Sequence, residues 1–99
     1  MQLESKLFKG FADQSRLSIL ETILGGSKTV SQIVKATKLS QPNVSAHLAC
    51  LLDCGLVRKE KRGREVFYRI SMKEIKSIFN QARKILSNHS KEIYKCTRY

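Results

Sequence analysis

Apolar residues recur every four positions at Leu3, Leu7 and Phe11, the stripe of a first helix that Phe8 widens. Gly10 and Asp13 are expected to end it, with Asp13 capping a second helix. There Leu17, Ile19, Leu20, Ile23 and Leu24 are too many for one narrow face, which predicts a central helix stopped by Gly25-Gly26. Val30, Ile33 and Val34 mark a short third helix from Thr29. The Lys38-Leu39-Ser40 turn then leads to a fourth, capped by Ser40, with Pro42 in the first turn where no intrahelical donor is needed.

Beyond Gly55 the periodicity shortens. Residues 57–61 and 65–70 read as two strands around Arg62-Gly63-Arg64, a basic β-hairpin. Ile75, Ile78, Phe79, Ala82, Ile85 and Leu86 then return to helical spacing up to about Asn88, and the pattern allows the helix to extend past His89. No repeat or low-complexity linker divides the chain, so residues 1–99 form one domain, mainly α with a small β-hairpin.

Two short helices joined by a tight turn and followed by a basic hairpin are the parts of a winged helix-turn-helix, with the fourth helix entering the DNA major groove. At about 100° per residue, Val44, Leu48, Leu51 and Leu52 gather on one side of that helix. Asn43, His47, Cys50 and Cys54 gather on a different side, away from the core. Ser40, Gln41, Asn43, Ser45 and His47 offer hydroxyl, amide and imidazole groups to base edges or phosphates, and Arg62 and Arg64 would reach the backbone or an adjacent minor groove.

Charge supports that reading: 19 Lys and Arg stand against 8 Asp and Glu, a formal net charge of +11, so polyanions are the expected partners. A 99-residue domain buries only a modest core, and a second copy would help to stabilise it. The longest apolar run, Leu48 to Leu52, is far too short to span a membrane. The first residues carry no secretory signal, so the expected location is the cytoplasm. Catalysis finds little support: Cys50 and Cys54 do not form a Cys-x-x-Cys redox motif, neither histidine has a clear acid partner, and no glycine-rich phosphate loop is present.

Cys50 and Cys54, four apart on one helix, bring two thiols to one face. Thiolates select soft metals. Three competing readings stand beside that one: small buried hydrophobes, a thiol-based redox or persulfide sensor, and a constitutive DNA-binding protein that senses nothing. At Cys54 the C-terminal end of the helix dipole opposes thiolate formation, which favours metal over oxidant.

The segment from Leu7 to Leu20, with Phe8-Lys9-Gly10-Phe11-Ala12-Asp13 at its start, resembles the entry of ArsR/SmtB-type bacterial repressors. Ser40-Gln41-x-x-Val44-Ser45-x-His47-Leu48-x-x-Leu51-x-x-x-Gly55-Leu56-Val57 resembles their recognition helix, and Gly63-Arg64-Glu65-Val66-Phe67-Tyr68 their wing. The resemblance covers residues 3–70. It implies a homodimeric winged-helix repressor that joins through its first and last helices, binds double-stranded operator DNA at an inverted repeat, and releases it when an inducer binds. Leu3/Leu7/Phe11 and Ile75/Phe79/Ala82/Leu86 would supply the dimer surfaces or, equally, monomer core.

Members of that family sense at different positions. Thr29-Val30-Ser31-Gln32-Ile33 has no thiol where one class keeps its cysteines. His89-Ser90-Lys91-Glu92 preserves half of a zinc site on the last helix, but Lys76 and Ile78 stand where its other half belongs. The cysteines resemble instead the cadmium- and lead-sensing type, which implies a three-sulfur site of Cys50, Cys54 and Cys96 from the other subunit. Three sulfurs without a clear fourth ligand suit Cd2+ or Pb2+ better than four-coordinate Zn2+, while Zn2+ and As(III) remain possible inducers.

Overall fold

The computed structural model describes residues 1–97. Its elements follow the expected order: α1 (Gln2–Phe11), α2 (Gln14–Leu24), α3 (Val30–Thr37), α4 (Gln41–Asp53), β1 (Val57–Arg62), β2 (Glu65–Ile70) and α5 (Lys73–Lys95). The core forms around α2, whose Ile19, Leu20 and Ile23 are buried, with Ile33, Val44, Leu48 and Leu51 brought in by α3 and α4. Each such side chain contributes about 1.5–3 kcal/mol by leaving water.

Side-chain caps set the helix starts. Asp13 accepts the Arg16 backbone N–H at 3.0 Å. Thr29 and Gln32 form a reciprocal capping box, and Ser40 Oγ accepts the Asn43 N–H at 3.3 Å. Between α3 and α4, Lys38 adopts the left-handed conformation at φ 61°, closing α3 and turning the chain into the recognition helix.

Three details differ from the sequence expectation. Gly10 lies inside α1 rather than ending it. There a Cβ would stand 3.8 Å from Leu56 Cδ1, so the glycine sits over the junction with the α4–β1 turn. Arg62 belongs to β1 and pairs with Glu65, leaving a two-residue turn with Gly63 at φ 63°. Lys28 makes an isolated antiparallel bridge to the hairpin, its backbone exchanging hydrogen bonds with Tyr68 at 3.0 and 2.7 Å. α5 continues past His89 to Lys95, as the pattern allows, with non-helical φ −134°, ψ 21° at His89 itself.

Of the two proposed dimer stripes, Phe11, Ile75 and Phe79 are core, with the Phe11 and Phe79 rings edge to face at 6.3 Å. Other apolar groups on the same helices remain uncovered: Phe8 is 59 % exposed and Ile85 55 %.

Candidate nucleic-acid interface and thiol pair

On α4, Val44, Leu48 and Leu51 are buried, and Gln41, Asn43, Ser45, Ala46 and Ala49 are exposed. The outward face is therefore centred on Ser45, Ala46 and Ala49. Ala46 and Ala49 carry no polar group that would single them out in the sequence, and their small side chains leave the backbone of this face accessible. The turn before α4 is held by Thr37, whose Oγ1 donates to the Ile33 carbonyl at 2.8 Å and accepts the Leu39 N–H at 3.3 Å.

The side carrying Asn43, His47, Cys50 and Cys54 is a flank between that face and the core. Asn43 and Cys54 are exposed, while His47 and Cys50 are half-buried. His47 lies near Asp13: the carboxyl of Asp13 is held below its ordinary value mainly by the Arg16 N–H, with the charges of Arg16 and His47 adding to the effect.

Ser40 Oγ accepts the cap hydrogen bond, which leaves its O–H free to donate. In the wing, the Arg62 guanidinium lies 4.8 Å from the centre of the Phe67 ring and bridges Glu60 at 3.4 Å, which directs it along the hairpin. Arg64 is exposed at the turn. Arg58 and Arg69, opposite each other in register and both exposed, extend the basic surface beyond the two arginines expected from sequence.

Cys54 closes α4, its N–H donating to the Cys50 carbonyl at 3.0 Å, so the two side chains lie one helical turn apart on the same flank. Burial pushes the Cys54 thiol up, and the neighbouring Cys50 and the carboxylate of Asp53 push it further; Arg16 partly opposes them. Arg16 had no role assigned from sequence. Its Nε donates to the Gly10 carbonyl at 3.0 Å and its Nη2 to that of Lys9 at 3.2 Å, so one cation near the start of α2 closes α1, and its charge also reaches the Cys54 thiol. Nothing in helical periodicity announces such a contact.

Cys96 is exposed just after α5. Among the described residues no cluster of three or more His, Cys, Asp or Glu side chains could hold a metal ion, so Cys96 does not join Cys50 and Cys54 within one protomer. No helix among them is long and apolar enough to cross a membrane.

Residues 13–59 match the sequence profile described as bacterial regulatory protein, arsR family. The chain is 33 % identical over 94 residues to a probable mercury resistance operon repressor of Streptomyces lividans, covering 95 % of this chain and 75 % of that protein. It is 37 % identical over 67 residues to the HTH-type transcriptional regulator CmtR of Mycobacterium tuberculosis, covering 68 % and 57 % of the two chains. The fold is similar to a homodimeric winged helix-turn-helix DNA-binding domain from Mycobacterium bovis, a possible ArsR-family regulator, at TM-score 0.79 and 27 % identity, covering 89 % and 82 %. The winged helix-turn-helix, its basic hairpin and these relatives agree: the chain belongs to the arsR family of bacterial regulatory proteins, and it is a DNA-binding transcriptional regulator rather than an enzyme.

Proposed function

We propose that the protein is a cytoplasmic repressor that binds an inverted-repeat operator as a homodimer and is released by a soft metal ion. The observation that carries this reading is the pair Cys50 and Cys54, stacked on the flank of the helix that faces DNA. A ligand held there acts on the reading element itself. The mercury-resistance relative is a repressor by its description, which supports repression and a soft-metal inducer.

Dimerisation proceeds through α1 and α5, where Phe8, Ile85 and Leu86 leave apolar surface in water. Gln41 and Ser45 face the operator and Asn43 and His47 approach it from the flank, with Ser40 fixing the helix start and Arg62 and Arg64 gripping the backbone beside it.

The donor set fits a soft ion: two thiols and, among the described residues, no carboxylate cluster. The third sulfur is the partner's Cys96, exposed directly after α5. Cd2+ and Pb2+ are the preferred inducers, with Zn2+ and As(III) as weaker candidates. Closing this set ties the C-terminal end of α4 to the other subunit and draws the recognition helices out of operator register. Each decade of lost operator affinity requires about 1.4 kcal/mol of differential binding.

A redox or persulfide switch is less well supported, because the raised Cys54 thiol is poorly ionised near neutral pH and attack requires the thiolate. Ultraviolet absorption during cadmium titration counts the thiolates bound: three per ion support the shared site, and two remove Cys96 from it.

A further inference from the structure

The recognition helix carries no lysine or arginine of its own, and much of the chain's positive charge stands instead on α5. At about 100° per residue, Lys73, Lys76, Arg83 and Lys84 fall within an arc of about 100°, together with Asn80 and Ser87. Ile75 and Phe79, which enter the core, lie outside that arc, and all of its members are exposed. Lys91 and Lys95 continue the run beyond the non-helical His89, one turn apart and both exposed. Each glutamate of the helix, Glu74 and Glu92, directly follows a lysine and so lies about 100° round the axis from it. Arg83 is tied to the body by Glu21 at 3.8 Å and by the Phe79 ring at 5.9 Å. The five lysines form no ion pair with any other described residue.

Like charges three and four residues apart, as at Lys73/Lys76 and Lys91/Lys95, work against the helix that carries them. A surface that serves only solubility mixes both signs. Between the last two lysines Tyr94 is 90 % exposed, in a shallow groove of about 350 Å³ that it shares with Ser90. Its phenol adds a hydrogen-bond donor for phosphate or sugar oxygens among the ammonium groups.

We infer that the outer face of α5 is a second, sequence-independent DNA surface, which holds a separate duplex while α4 and the wing hold the operator. α4 packs mainly on α2, α3 and β1, whereas α5 enters the core through Phe79 against Phe11 of α1. The reading face and the lysine row thus stand on different elements, each turned away from the shared core. The row runs for up to about 33 Å along the helix, about one duplex turn, so several phosphates come within reach. A lipid surface fits less well: an interfacial helix buries its apolar side in the bilayer, and here Ile75 and Phe79 of that side are occupied by the protein's own core. With both surfaces filled, one protein joins two stretches of DNA, and neither the cysteines nor operator release takes part.

Capture of a second duplex tests this. The full chain is bound to a bead-linked operator selected from random duplexes, and a fluorescent duplex of unrelated sequence is then added. The unmodified protein should retain the second duplex, with affinity falling about a hundredfold between about 50 and 200 mM salt, as for about four phosphate contacts. Lys73→Gln/Lys76→Gln/Lys84→Gln/Lys91→Gln should lose about tenfold or more in capture while operator affinity stays unchanged, which also shows that the variant is folded. Arginine at the same four positions should restore capture. Capture that persists in the glutamine variant, or that falls only together with operator affinity, would overturn the inference. So would lysine-dependent binding to phosphatidylserine vesicles without capture of the second duplex.

Discussion

The backbone N–H of Cys54 donates to the carbonyl of Cys50 at 3.0 Å, so the two thiols are carried by one rigid turn at the end of the recognition helix. Their separation is fixed by helix geometry rather than by a flexible loop. A ligand that bridges them therefore acts on α4 directly.

The same closeness sets a pH dependence. Cys54 ionises above the ordinary thiol range because of burial first and Cys50 second. Iodoacetamide modification of Cys54, followed by peptide mass spectrometry, is expected to be slow at neutral pH and to rise at higher pH than for the same residue in the urea-unfolded chain. Cys50→Ser moves that profile down, although not fully to the unfolded value. For stability the sign follows from a raised folded pKa: the contribution is complete below the unfolded thiol value and is lost as pH rises through the folded one.

Arg16 ties the thiol pair to α1. Replacing it with Met removes the hydrogen bonds to the Gly10 and Lys9 carbonyls and the cation that favours the Cys54 thiolate. Thermal unfolding should show a loss of about 1.5–3 kcal/mol, the range for a hydrogen bond involving a charged group. The alkylation profile of Cys54 should move to still higher pH. An unchanged profile would show that Arg16 supports α1 only.

On α4 the core and reading sides separate cleanly. Leu48→Ala should cost about 2–5 kcal/mol and lower stability and DNA affinity together. Asn43→Ala keeps the backbone cap from Ser40, so stability should stay within about 0.5 kcal/mol while affinity for an operator selected from random duplexes falls. In the wing, Arg64→Ala should weaken binding across sequences and reduce the salt slope by about 1. Fluorescence anisotropy at several salt concentrations measures both effects.

Much of this was legible in the sequence, because α2, α4 and the hairpin have strong periodicity and explicit stops at Asp13, Ser40 and Gly55. Its limits have physical causes. The Lys28–Tyr68 bridge consists of backbone hydrogen bonds, which any residues can make. Arg16 acts on carbonyls six and seven residues earlier, a separation without helical meaning until α1 and α2 meet at a corner. Gly10 looked like a stop but serves as a contact surface, and which role a glycine plays depends on what packs over it. At the site, angular spacing separated the Asn43/His47/Cys50/Cys54 stripe from the core. It did not distinguish a flank from the face that meets DNA, since that depends on where α1 and α2 lie.

Cys50 and Cys54 are the proposed switch that releases operator DNA. Cadmium titration of a fluorescent operator complex, with each cysteine changed singly to serine, tests it most directly. The unmodified protein should release the operator, Cys50→Ser and Cys54→Ser should bind DNA yet lose at least tenfold in cadmium response, and Cys96→Ser should lose part of it. Full cadmium response in both Cys50→Ser and Cys54→Ser would contradict the account.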